Sequence, residues 1–207
     1  MFKISKNEPL FFSVAKSKVS LPLVSSAWES TEIESIRPKL REYILLNEQN
    51  LLCVYCEKEI DDNPKNSNID HFRLKAGHLF PERTLDYKNL VVSCNTKGRC
   101  SNYKDKHIKS KSDYDNIVNP IDENPNDYFD YLPTGEIVAL KNNAKAEFTI
   151  DIFNLGRHEG DSLSQTRKQI TESLRYCNNL SLDEIYNEFG NEYYSFIKII
   201  YNKLQEQ

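Results

Sequence analysis

Four of the five cysteines in this 207-residue chain fall into two short-spaced pairs, Cys53-Val54-Tyr55-Cys56 and Cys94 with Cys100, the second pair separated by five residues. Zinc takes thiolates in a tetrahedron, and two such pairs joined by the intervening fold fill all four positions and leave none for water. The spacing points to a structural Zn²⁺ site, with four unrelated buried thiols as the plainer alternative. Lys97-Gly98, inside the second pair, permits the turn that such a site needs. The fifth cysteine, Cys177, falls on the apolar face of a helical stretch and reads as a small buried hydrophobe. The odd count and the clustering argue against a disulfide framework.

Between the pairs stands Asn68-Ile69-Asp70-His71-Phe72, and after them Asn89-Leu90 and Ser101-Asn102-Tyr103-Lys104. An Asp-His dipeptide alone says little. Its position, fourteen residues after Cys56 and ahead of the second pair, gives it weight. On a strand the two side chains face opposite ways. A carboxylate suits a hard cation such as Mg²⁺ or Mn²⁺, and an imidazole titrates close enough to neutrality to take a proton from water. Phosphodiester hydrolysis needs both an activated water and neutralisation of the charge that develops on the phosphate. Asp70 is therefore a candidate metal ligand and His71 a candidate general base. Arg73, Lys75, Arg99, Lys104 and Lys106 are candidate phosphate contacts, which add affinity without reading bases.

At these residues the chain resembles the HNH, or ββα-metal, nucleases in their zinc-supported form. Leu40-Arg41-Glu42 through Glu48-Gln49 to Cys53 and Glu57, and Ile69 through Arg73, look like the HNH proteins of retron and Septu-type antiphage systems. Asn119-Pro120, Asn124-Pro125, Tyr128-Phe129, Gly135-Glu136-Ile137 and Asn154-Leu155 continue the likeness, which runs from about residue 30 to about 170. The resemblance implies an α+β fold: a ββα-metal core stabilised by the four-cysteine zinc site and flanked by helices. It implies that Asn89 holds the loop or the histidine ring, and that a second catalytic metal ligand follows Cys100 on a helix. There the chain departs from the pattern, because Ser101 stands where Asn, Asp or His is usual. Asn102 is the favoured ligand, with Ser101 acting through water or His107 from further along as the alternatives. Lys104 does stand where the motif has lysine. By the same resemblance the substrate is DNA (RNA being the alternative). The partner is an ABC-type ATPase, with a retron reverse transcriptase and its non-coding RNA as a further candidate. Two other readings stay open: a catalytically degenerate zinc module binding nucleic acid or protein, and a thiol redox protein, for which the βαβ context is missing.

Several elements must position these residues. Thr31 and Glu34 fit a capping box, but Pro38 inside that helix would cost roughly 3 kcal/mol. The spacing thus predicts a short first turn and then a main helix from Pro38 to about Gln49, with Leu40, Tyr43, Ile44 and Leu45 inward. Ahead of it, residues 1–30 show no helical period and read as an extended arm packing through Trp28. Segments 128–132 and 136–140, around Pro133-Thr134-Gly135, read as a hairpin. Asp161 or Ser162 caps a helix carrying Leu163, Ile170 and Leu174. Ser181 and Glu184 open another, a single helix apolar through Leu204 with Gly190 inside it. The chain divides into an N-terminal arm and helix (1–52), the zinc-supported core (53–111), an acidic turn and hairpin segment (112–160) and C-terminal helices (161–207), in one compact unit.

The net charge is −4, unevenly spread. Residues 97–111 hold six basic side chains against one acid, and 112–160 hold ten acids against three bases. The basic stretch suits phosphate or a solvated face. The acidic segment and the C-terminal helices suit a protein partner. The longest apolar candidate, 21–27, is broken by Pro22 and Ser25, so no membrane span is expected. The first residues lack the pattern of a secretory signal, which makes the cytoplasm the expected compartment.

Overall fold

The computed structural model describes residues 1–20, 24–177 and 179–206; Leu21, Pro22 and Leu23 of the apolar candidate lie outside them. The N-terminal residues are not extended throughout. Pro9 opens helix α1, Leu10–Ser17, which buries Phe12 and Ala15. Leu10 and Val14 stay exposed on the same short helix, so its apolar residues form no stripe that a periodicity could reveal. A 3-10 turn at Ser25–Glu29 then buries Trp28, the anchor expected of this segment.

Helix α2, Thr31–Glu34, is capped by Ser30 rather than Thr31, the Ser30 hydroxyl accepting from Ile33 N. Helix α3, Arg37–Asn47, starts with Pro38 in its first turn, where a missing N–H costs nothing, and buries Leu40, Ile44 and Leu45. Gln49 follows, fully buried. Its amide donates to Leu52 O and Val92 O and accepts from Val92 N, each at 2.8 Å. One side chain thus seats the end of α3 on the strand that leads to Cys94.

The central unit is a two-stranded antiparallel ribbon followed by a helix. Strand β1, Ser67–His71, pairs with β2, Leu90–Cys94, with Asp70 opposite Val91 and His71 opposite Leu90. Helix α4, Cys100–His107, packs on β2. A second antiparallel pair, β3 (Phe129–Tyr131) and β4 (Ile137–Ala139), is the expected hairpin. Within 112–160, however, Asn143 also caps a full helix, α5, Ala144–Phe153, through Ala146 N at 3.1 Å. It packs on both α4 and β4. Wedged between two neighbours, it is apolar on more than one side, and such a helix lacks the single stripe that marks an amphipathic one.

Helix α6, Ser162–Arg175, is capped by Asp161 as expected. The Ser181–Glu184 capping box opens α7, Leu182–Phe189, but the helix ends at Gly190 (φ +77) and restarts as α8, Tyr194–Gln205. The single long C-terminal helix is therefore two. Among the described residues no helix is long and apolar enough to cross a membrane.

One close approach locks α6 onto the hairpin. Gly135 has φ +96, and a Cβ there would lie 1.9 Å from the carbonyl oxygen of Ser164. Gly135→Ala should therefore cost about 3 kcal/mol in strain and displacement and lower the melting temperature by roughly 6–12 °C in a thermal unfolding scan. A melt within about 2 °C of wild type would show that α6 does not rest on this turn.

Candidate metal centre and reaction site

The four cysteines converge. Their sulfur atoms all lie within 4.8 Å of one another and all four side chains are buried, with Cys53–Cys100 at 3.8 Å and Cys56–Cys94 at 3.9 Å. A tetrahedron with Zn–S bonds of about 2.3 Å has edges of about 3.8 Å, so the spacing and the donor set fit zinc. Hydrogen bonds from Cys100, Cys53 and Cys56 pull the Cys94 thiol far down, while burial pushes Cys100 up. The ligands come from three places: the turn at 53–56, the end of β2 and the start of α4, where Cys100 takes φ +55. These four residues could hold a zinc ion that joins the turn, the ribbon and the helix.

Asp70 faces α4. Its Oδ2 accepts from Tyr55 Oη at 2.5 Å and its Oδ1 from Lys104 Nζ at 3.1 Å. The same ammonium donates to His71 O at 2.9 Å and Phe72 O at 3.1 Å and lies 2.9 Å from Asp105 Oδ1. Burial alone would lower the pKa of Lys104, but the charges of Asp70 and Asp105 outweigh it and raise it, so the ammonium persists. Burial and the charge of Asp70 lift Asp105 to about 6, although the outer part of its side chain is 40% exposed. Burial and Asp70 also raise Tyr55 well above its usual range, which keeps it a phenol and a donor.

His71 faces the other way, as alternation on a strand requires. Its Nε2 lies 2.9 Å from Thr84 O, a pure acceptor, so Nε2 carries the proton and Nδ1 the lone pair. Trp28 packs edge-on against the ring at 4.7 Å between centroids. Burial lowers its pKa from 6.5 to about 4, below the near-neutral value expected of it, so the imidazole is neutral at physiological pH and a weaker base than a free side chain. Arg37 donates to Trp28 O, and Lys75 donates to Ser25 O at 3.3 Å, pinning the 25–29 turn over the histidine. Asn89 closes the loop after β1, accepting from Arg73 N at 2.7 Å and donating to Arg73 O and Arg83 O.

The remaining expected residues are dispersed. Ser101 is buried, its hydroxyl 3.4 Å from Asn68 Oδ1 on the Asp70 side of β1, whereas Asn102 is half-buried one position round the helix. His107 is exposed and stacked on Tyr103, with Nδ1 on Tyr103 O, and so turns along its own helix. Lys104 is fully buried and has no surface on which to meet a phosphate. Arg99 is held by Asp161 and Ser162, Arg73 lies over Phe80 and Tyr114, and Lys75 reaches the N-terminal turn. Of the five expected phosphate contacts, Lys106 alone is well exposed. Cys177, read as buried, is half-buried.

Three contributors were not foreseen. Tyr55 sits between two of the clustered cysteines, Asp105 lies one helical turn after Ser101, and Trp28 arrives from a distant segment. The i, i+4 relation of Ser101 and Asp105 was a usable signal. Nothing in the sequence joins Trp28 to His71.

No protein-family model matches the chain. It is similar to Septu protein PtuB of Bacillus thuringiensis, with 29% identity over 116 residues, 55% of this chain and 40% of that protein. The chain thus matches less than half the length of this relative.

Two outcomes are expected from this geometry. Purified protein should carry one zinc ion per chain by elemental analysis, and stripping it with a chelator should unfold the ribbon, because the binding energy of such a site is folding energy. Undiminished zinc in a variant with all four cysteines changed to serine would remove the ligand assignment. The second outcome concerns pH. The unfolded chain protonates His71 below about 6.5, and the folded chain only near 4. The stability this residue contributes is thus complete above pH 6.5 and is lost as pH falls toward 4, by up to roughly 3 kcal/mol. Denaturant titrations of wild type and His71→Gln should diverge over that window, with the variant less sensitive to acid; parallel curves would contradict the buried neutral state.

Proposed function

We propose that this chain is a metal-dependent HNH-type endonuclease that hydrolyses phosphodiester bonds of DNA in a Septu-type antiphage defence system, with an ABC-type ATPase as its partner. The observation that carries the reading is the state of His71. Its Nε2–H is fixed by a backbone carbonyl, which leaves Nδ1 as a neutral acceptor on the residue next to a buried carboxylate. A general base needs this arrangement. The similarity to Septu protein PtuB supports the defence role.

In this reading Asp70 would hold one Mg²⁺ or Mn²⁺. A carboxylate offers about four lone-pair sites, so oxygen lone pairs remain beyond the bonds from Tyr55 and Lys104. Asn102 is the proposed helix-borne ligand, with buried Ser101 as its alternative. Such a cation, when bound, supplies neutralisation of the charge developing on the scissile phosphate and the leaving oxygen. His71 Nδ1 takes a proton from water as the water oxygen bonds to phosphorus. The bond from phosphorus to the leaving sugar oxygen breaks, and that oxygen takes a proton from solvent. Asn89 holds the loop that presents Thr84, and so fixes the imidazole tautomer indirectly. Asp105 and Lys104 keep the end of β1 and α4 together.

A second reading, a zinc-supported binding module without catalysis, rests on Lys104 holding Asp70 and on Ser101 standing at the ligand position. One assay separates the two. Supercoiled plasmid is incubated with Mg²⁺ or Mn²⁺ and wild-type protein, alone and with the ATPase, beside His71→Ala. Nicking should fall at least a hundredfold in the variant, the low end for loss of a general base. Equal nicking by the two proteins would sink the nuclease reading.

A further inference from the structure

Tyr55 is one of the two residues between Cys53 and Cys56, and it is fully buried. Its ring stacks on Phe153 of α5, with centroids 4.2 Å apart and planes at 26°. Its hydroxyl reaches Asp70 Oδ2 at 2.5 Å across the interior. Lys104 holds the other oxygen at 3.1 Å. The carboxylate is therefore gripped at both ends, and its torsion is set by where Tyr55 stands. That position is set in turn by the turn at 53–56, whose ends are Cys53 and Cys56, and by the stack on Phe153.

Within the proposed nuclease reading, on which this inference rests, we propose that Tyr55 is the positioning residue for Asp70, and that through it the four-cysteine site sets the affinity of the reaction centre for a divalent cation. The phenol touches no reacting atom. It fixes which lone pairs of Asp70 face outward, and outer partners that orient a ligand are worth tenfold to a hundredfold in metal affinity. A purely structural tyrosine would affect stability and leave cation affinity alone.

The experiment uses the full chain with zinc bound and Mn²⁺ as probe, read by electron paramagnetic resonance or calorimetry as well as by plasmid nicking. Tyr55→Phe removes one oxygen atom and keeps the ring and its stack. It should retain one zinc per chain and raise the Mn²⁺ dissociation constant about tenfold, with nicking restored at saturating Mn²⁺. A second variant, Phe153→Leu, keeps the hydroxyl but frees the ring to tilt, and it should weaken Mn²⁺ binding in the same direction. It also decides the matter if Tyr55→Phe loses zinc. Unchanged Mn²⁺ affinity in a zinc-loaded variant overturns the proposal, as does wild type that binds no Mn²⁺. Failure of the two readings is separable. Histidine-dependent nicking with unchanged Mn²⁺ affinity in the variants leaves the nuclease standing and removes the role of Tyr55. Tyr55-dependent Mn²⁺ binding without nicking does the reverse.

Discussion

The ammonium of Lys104 lies inside the protein among four oxygens: one from Asp70, one from Asp105 and the carbonyls of His71 and Phe72. Removing a cation from water costs several kcal/mol, and attraction to a partner offsets this only when further hydrogen bonds complete the shell. Here the shell is complete, and it ties α4 to the last residues of β1. The segment that carries both candidate reaction residues thus cannot shift without exposing a buried charge. The four-cysteine cluster joins the same helix to the other strand of the ribbon, since Cys100 starts α4 and Cys94 ends β2. Helix and ribbon are held at both ends, by a buried ion pair and by the thiol cluster.

Two aromatic contacts extend this frame outward. The stack of Tyr55 on Phe153 links the turn at 53–56 to α5, a helix distant in sequence, and the packing of Trp28 on His71 brings the N-terminal segment over the candidate reaction site. Each gives one of the paired residues, Asp70 and His71, a neighbour that controls its environment. Asp70 is gripped by hydrogen bonds from Tyr55 and Lys104. His71 is desolvated and remains neutral. Strand alternation alone puts these adjacent side chains into opposite surroundings.

The expected phosphate contacts illustrate why charge in a sequence is a weak guide to surface. Residues 97–111 are rich in lysine and arginine, yet Lys104 is buried and Arg99 is matched to Asp161 across a long sequence separation. Local composition could not reveal either outcome, because the partners come from elsewhere in the chain. The same holds for α1 and α5. Their apolar residues give no clean period, since α1 is too short and α5 is packed on more than one side.

What the sequence determined by itself was chemical and local. It carried the two cysteine pairs, the Asp70-His71 step, the Asp161 cap and the turn at Gly135, because each is a property of a few neighbouring residues. The tertiary structure alone decided which partners those residues meet: Tyr55 and Lys104 on Asp70, Thr84 and Trp28 on His71, and α5 behind the turn at 53–56. Those contacts join positions far apart in the chain, and burial and pairing depend on the whole packed interior rather than on spacing along the sequence.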